Sequence, residues 1–230
     1  VEIMAEEDRR PTFAQATALR NGLASDNALL RHFSARGLGR LEDPAALAVL
    51  GRTLTDPDAV VRLTAAGAIA QSVFNDDTET AAGLLRGRLD EEHEPAVRGA
   101  LAQSLGRLRS ASATTIEQTQ TTLLDVAQWD APLETLVPTL RGFESLVRTN
   151  TDIELAAGVR DRLVDFIHYG RGDANPTEAE QLELEAMFAA ARVRRLALAT
   201  LTAAGRANAE TVEIALYDPD VEVRRLAAAA

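Results

Sequence analysis

The chain has 230 residues, 35 acidic against 24 basic, a formal net charge of −11, 46% hydrophobic and 4% aromatic residues, and no cysteine. Apolar content of this order at this length argues against global disorder, while the missing cysteine excludes a disulfide framework, a thiol nucleophile and a Cys-ligated metal centre and says nothing about compartment. A pI near 4.8 opposes a surface that tracks phosphates, and the longest weakly polar stretch, 196–205, is about half of the ~20 residues that cross a bilayer.

One frame recurs along the chain. It appears as Ser25-Asp26-Asn27-Ala28-Leu29-Leu30-Arg31, then Asp56-Pro57-Asp58-Ala59-Val60-Val61-Arg62, then Glu92-His93-Glu94-Pro95-Ala96-Val97-Arg98. A partial copy stands at Val193-Arg194, and Asp218-Pro219-Asp220-Val221-Glu222-Val223-Arg224 repeats the second copy almost unchanged. The arginines are 31, 36, 96 and 30 residues apart, and 96 is three times 32. A period near 31 predicts a solenoid of helix pairs.

Residues three and four beyond each arginine are Ser34 and Ala35, Ala65 and Ala66, Leu101 and Ala102, Ala197 and Leu198; at seven stand Leu38, Ile69, Leu105 and Leu201. These offsets share one helix face and define the predicted core. At eight, Gly39, Ala70 and Gly106 predict close approach between helices of neighbouring repeats. In the Asp-Pro-Asp start, aspartate caps free backbone N–H groups, proline fits the first turn, and both carboxylates favour the positive end of the helix dipole. The arginine can fold back on that carboxylate or reach the equivalent acid of the next repeat as a ladder. Arg62, Arg98 and Arg224 are read as stacking devices, because a ligand site has no need to recur at fixed phase.

Shorter first helices are predicted over 44–55 and 79–90, and further helices over 114–128, 132–148 and 152–169. The alternation gives about six helix pairs at 12–41, 44–73, 78–109, 113–148, 153–204 and 208–230, all α, with the fourth and fifth degenerate. In the fifth, the turn-rich 170–176 loop separates two helices, and 177–204 has the length for one extended helix or a short one joined to the repeat helix. Val159-Arg160 mimics the frame, but helix parity makes it part of a first helix. The start at Val1 and a helical pattern still running at Ala230 predict a piece of a longer chain whose targeting signal, if any, lies elsewhere.

The D-P-D-x-x-V-R-x-x-A-A pattern resembles bacterial HEAT-like repeats, the group called PBS-lyase HEAT-like, most strongly over 25–109 and 192–230. The resemblance implies a right-handed α-solenoid whose second helices line a concave surface that binds proteins or, less often, other ligands. The opening Val1-Glu2-Ile3-Met4-Ala5-Glu6-Glu7-Asp8-Arg9-Arg10 is similar to the region upstream of the HEAT array in large cyclophilin-type peptidyl-prolyl isomerases; that likeness implies a non-catalytic part of such an enzyme.

HEAT-like enzymes set further comparisons. A di-iron hydroxylase needs several His-Glu pairs, whereas this chain has one, His93-Glu94, and three histidines in all, His32, His93 and His168; His93 is read as part of a helix-capping turn. HEAT-like DNA glycosylases need a basic face, aromatics and a catalytic acid. Trp129-Asp130 offers an aromatic beside an acid, but Trp129 sits in a turn before Pro132, where a large ring covers the core edge, and the net charge opposes a phosphate groove. For a phycobilin lyase the sequence offers no bilin handle beyond the repeat. Gly37-Leu38-Gly39 and Gly170-Arg171-Gly172 lack the context of a phosphate loop, and there is no G-x-S-x-G elbow.

The expected function is a non-catalytic scaffold with a concave surface for a protein or peptide partner that is not strongly acidic, with no nucleic acid, no membrane insertion, no cofactor and no metal. The alternative is the substrate-holding HEAT module of a larger bacterial peptidyl-prolyl isomerase. Trp129, Phe143, His168 and Tyr169, with the 170–176 loop, are the candidate binding residues, because departure from a repeat calls for a reason.

Overall fold

Short polar side chains start the helices. In the computed structural model Asn27 accepts from Leu29 N, Asp58 from Val60 N and Val61 N, Ser112 from Thr115 N, Asn208 from Thr211 N, and Asp220 from Glu222 N and Val223 N. Each satisfies backbone donors that the first turn leaves unpaired. The structure describes residues 3, 5, 12–73, 77–110, 112–150, 153–170 and 180–230, with side chains in the last segment from 186 onward. The opening residues compared above with an isomerase, apart from Ile3 and Ala5, and 171–179 of the predicted loop and helix, lie outside these.

Among the described residues there are twelve helices: α1 Thr17–Gly22, α2 Ala28–Arg40, α3 Leu47–Thr53, α4 Ala59–Ser72, α5 Thr78–Glu91, α6 Pro95–Gly106, α7 Ala113–Val126, α8 Leu133–Thr149, α9 Ala157–Phe166, α10 Glu180–Ala203, α11 Ala209–Leu216 and α12 Val221–Ala229. A 3-10 turn, Pro44–Ala46, precedes α3, capped by Asp43. No strand occurs among the described residues. The stretch from 180 is one extended helix, ended by Gly205 at φ 64° with Arg206 N bonded back to Leu201 O, a left-handed stop that glycine takes without steric cost. Arg160 lies in α9, a first helix, as parity requires.

The helices alternate between two rows. The second helices α2, α4, α6, α8, α10 and α12 pack closely in succession, while the first helices touch their neighbours in the stack sparsely. The tighter row, that of the second helices, is the one that the family resemblance assigns to the concave surface. All twelve residues predicted at three, four and seven beyond the arginines are buried.

Proline does not act in one way at every repeat. Pro57 stands before the capping Asp58, outside the helix, whereas Pro95 is the first residue of α6. Placing the proline of Asp-Pro-Asp in the first turn is therefore corrected: the second aspartate is the cap, and the first does other work. The small residues at offset eight behave as expected at two sites. A Cβ on Gly39 would lie 2.7 Å from the Ala68 backbone, and one on Gly106 would overlap the backbone of Gly142 in α8.

Gly106→Ala is expected to destabilise by about 1–3 kcal/mol, because the obstacle is a neighbouring backbone. At Gly83, exposed within α5, a Cβ meets nothing within 4 Å, and Gly83→Ala is expected to stabilise by about 0.5–1 kcal/mol. Urea denaturation of the two variants measures both; a neutral Gly106→Ala would contradict the close crossing of α6 and α8.

Candidate functional site

Arg31, Arg62, Arg98 and Arg224 each stand three residues beyond the first residue of their second helix, and the Nη1 of each turns back to carbonyls of the preceding turn. Arg31 donates to Ser25 O at 2.9 Å, Arg62 to Asp56 O at 2.8 Å, Arg98 to Glu92 O at 2.8 Å and Arg224 to Asp218 O at 2.6 Å. The other edge of the guanidinium reaches forward. Arg31 binds Asp56 through Nε and Nη2 at 2.7 and 2.8 Å, and Arg62 binds Glu92 at 2.8 and 3.0 Å. Arg194 binds Asp218 at 2.8 and 3.0 Å, its Nη1 taking Tyr169 O at 2.8 Å. Of the two expected partners, the arginine thus takes the acid of the next repeat, and from its own turn the carbonyl rather than the carboxylate.

The same acid closes its own turn by accepting the N–H two residues on: Asp58 N at Asp56, Glu94 N at Glu92, Asp220 N at Asp218. His93 N also donates to Glu92, so His93 lies in the capping turn. Burial would raise the Glu92 carboxyl, but donors from Arg62, Arg88 and Glu94 outweigh it and hold the group at about 2. The Arg31 hydrogen bond is the main cause that lowers Asp56. Arg194 and Asp218 side chains are only 3% and 0% exposed.

The ladder breaks in the fourth pair. Asp130 stands three before α8, the register position of Asp56, Glu92 and Asp218, yet it is exposed and Arg98 makes no ion pair among the described residues. Two residues on from Asp130 is Pro132, which has no N–H to close the turn, and Leu136 stands where the next arginine would be. Helix contact replaces the rung: Gly99 lies against the Glu134 backbone, Gly106 against Gly142, and Thr135 Oγ1 donates to Pro95 O at 2.8 Å.

The predicted binding residues separate here. Trp129 and Tyr169 come together, ring centroids 5.1 Å apart, and Trp129 stacks at 5.8 Å on Phe166. Phe166 is fully buried and Trp129 is 49% exposed, so the tryptophan covers the core edge. His168 is exposed and outside this cluster, while Phe143 is 1% exposed and belongs to the core, unavailable to a partner. Phe166 was missed, although its spacing of three from Tyr169 on a helical pattern could have indicated it. A cleft of about 1060 Å³ between the first helices α7 and α9 is lined by Arg109, Gln120, Asn150, Glu154 and Arg160; Gln120 spans it, donating to Glu154 O and accepting from Ala156 N. No cluster of three or more His, Asp or Glu that could hold a metal occurs among the described residues.

Residues 16–116 match the family described as HEAT repeats. Among solved structures, a chain of the complex of CpcE and CpcF of phycocyanin lyase from Nostoc sp. PCC7120 is similar, at a TM-score of 0.53 and 19% identity, over 78% of this chain and 95% of that one. At such identity the likeness is one of fold. A search of curated proteins gives no match. The chain is an all-α solenoid of helix pairs, and the isomerase resemblance gains no support from either match.

Arg194→Met removes the two-point guanidinium contact of the buried Asp218 and is expected to cost about 3–5 kcal/mol. Combined with Asp218→Asn it should cost less than the two single changes together, by about 1–3 kcal/mol; additive effects would show that the rung does not couple the repeats. For pH the sign comes from Glu92, whose folded value of about 2 lies below the ordinary 4.5. Its contribution is intact above about pH 4.5 and is lost as pH falls toward about 2. Urea titrations between those limits should show wild type losing stability more steeply than Glu92→Gln, and parallel curves would count against this rung.

Proposed function

We propose that this chain is a non-catalytic interaction scaffold that presents its concave row of second helices to a protein or peptide partner. The observation that supports it most is a repeated apolar exposure. Leu29 and Val60, each the second residue of its helix, are 58% and 57% exposed on adjacent helices α2 and α4, with Leu63 exposed one turn on. The core does not use them, and large side chains at one register of a solenoid suit an uncommitted face.

The residues that could read as chemistry have structural employment: Arg31, Arg62 and Arg194 hold the next repeat, and Asp56, Glu92 and Asp218 hold the arginines and their own turns. Among the described residues no helix is long and apolar enough to cross a membrane, and the net charge of −11 disfavours a nucleic acid. The alternative, a module holding client chains for the catalytic domain of a larger isomerase, would use the same face; it rests on the opening residues alone.

Peptides selected from a random display library on the wild-type protein provide the test. Leu29→Asp with Val60→Asp should weaken the selected peptides about tenfold or more, with the melting temperature unchanged, while Thr121→Asp on the first helix α7 should leave them bound. Loss confined to Thr121→Asp would overturn the concave reading, and prolyl isomerase turnover by this chain would overturn the non-catalytic one.

A further inference from the structure

The second helices hold twelve arginines against six acids, in a chain whose net charge is −11. Several of these arginines are matched in the ladder. Where α8 packs on α10, Arg141 and Arg192 have no such match among the described residues. Arg192 and Arg195 lie one turn apart on α10, and Arg141 approaches Arg192 from α8: partial burial first, then repulsion by Arg141 and Arg195, lowers the Arg192 pKa, with no acid among the causes. Arg141 and Arg192 are exposed and make no hydrogen bond or ion pair with any described residue. Arg195 reaches Asp220 only at 3.6 Å, beyond hydrogen-bond length. Glu144, three residues from Arg141, is taken by Arg148 at 3.0 Å.

Beside these cations stands an apolar side chain. Phe188 is 59% exposed; it precedes Arg192 by four residues and Arg195 by seven, so the three share one face of α10. Two arginines without counter-charge among the described residues, a third loosely paired and a bare phenyl ring on neighbouring second helices make a surface complementary to carboxylate and apolar groups together.

We infer that the α8–α10 face docks an acidic polypeptide segment, with carboxylates paired to Arg141 and Arg192 and an apolar side chain set against Phe188. This rests on the scaffold reading and specifies its partner. It also reverses locally the partner charge that the net charge predicts. A short segment is governed by charges within about one screening length, ~8 Å in physiological salt, whereas a long polyphosphate must also cross the field of the acidic remainder. Arginine, with a planar fork that matches a carboxylate at two points, suits this role.

The test uses a fluorescent twelve-residue peptide of Glu and Asp with one central Phe, its Gln/Asn counterpart and a single-stranded oligonucleotide of similar length, with binding read by anisotropy at two salt concentrations. The acidic peptide should bind and weaken with salt. The combined Arg141→Ala and Arg192→Ala change should weaken it about tenfold, and Phe188→Ser should weaken it too, while Arg52→Ala, at an exposed arginine of the first helix α3, leaves it unchanged. Since Arg141 and Arg192 repel each other, their removal should not lower the melting temperature, which keeps the reading independent of folding. Equal binding of the Gln/Asn peptide, no effect of the double change, or tighter binding of the oligonucleotide would overturn the inference. If library-selected peptides still depend on Leu29 and Val60 in that event, the scaffold reading stands and this site alone falls.

Discussion

The two-edged arginine contact is the constraint on which the stacking depends. One guanidinium edge binds carbonyls of its own repeat, and the other binds the carboxylate that opens the next second helix, as in Arg62 between Asp56 O and Glu92. Burying an ion pair returns about what its desolvation costs, so the net gain in stability is small. Geometry is what it fixes: Glu92 accepts Arg62 and the Glu94 N–H together, which only one relative placement of the two repeats allows. A lysine has no planar fork with which to bind at two edges, and all 24 basic residues here are arginine.

Periodicity made most of this fold legible. Helical spacing and repeat spacing coincide at the arginine, so counting forward from Arg31, Arg62, Arg98 and Arg194 reaches buried residues such as Ala35, Ile69, Leu101 and Leu201. The division of labour within Asp-Pro-Asp was not legible. Either aspartate can cap, and a proline without an N–H is as well tolerated before the cap, as Pro57, as inside the first turn, as Pro95. Only the position of the first turn separates Asp56, which receives the arginine, from Asp58, which caps.

The centre was legible only as a departure from the repeat. Asp130 has the register of a ladder acid, but Pro132 denies it the N–H that closes the other turns, and Leu136 ends the series of arginines. In place of a rung, backbone packs on backbone through Gly99, Gly106 and Gly142. The candidate residues there were chosen by chemical type and divide accordingly. Trp129 and Tyr169 share a cluster because their turns close the fourth and fifth pairs at the same edge, whereas Phe143 falls on the inner face of α8, a matter of helix phase that an irregular repeat conceals.

The net charge of −11 is a poor guide to what a partner meets. Asp58 and Asp220 are engaged by backbone N–H groups, and Asp56, Glu92 and Asp218 by arginines and turns, so many of the acids counted in the sum are already answered within the fold. The frame calls for one arginine in each second helix. Among those beyond the frame, Arg141 on α8 and Arg192 and Arg195 on α10 owe their positions to no rung, as Leu29 and Val60 owe theirs to no core contact. On the proposed scaffold reading, the residues that stacking does not require are the ones left to distinguish one partner from another, and here they combine cationic and apolar side chains on the row of second helices.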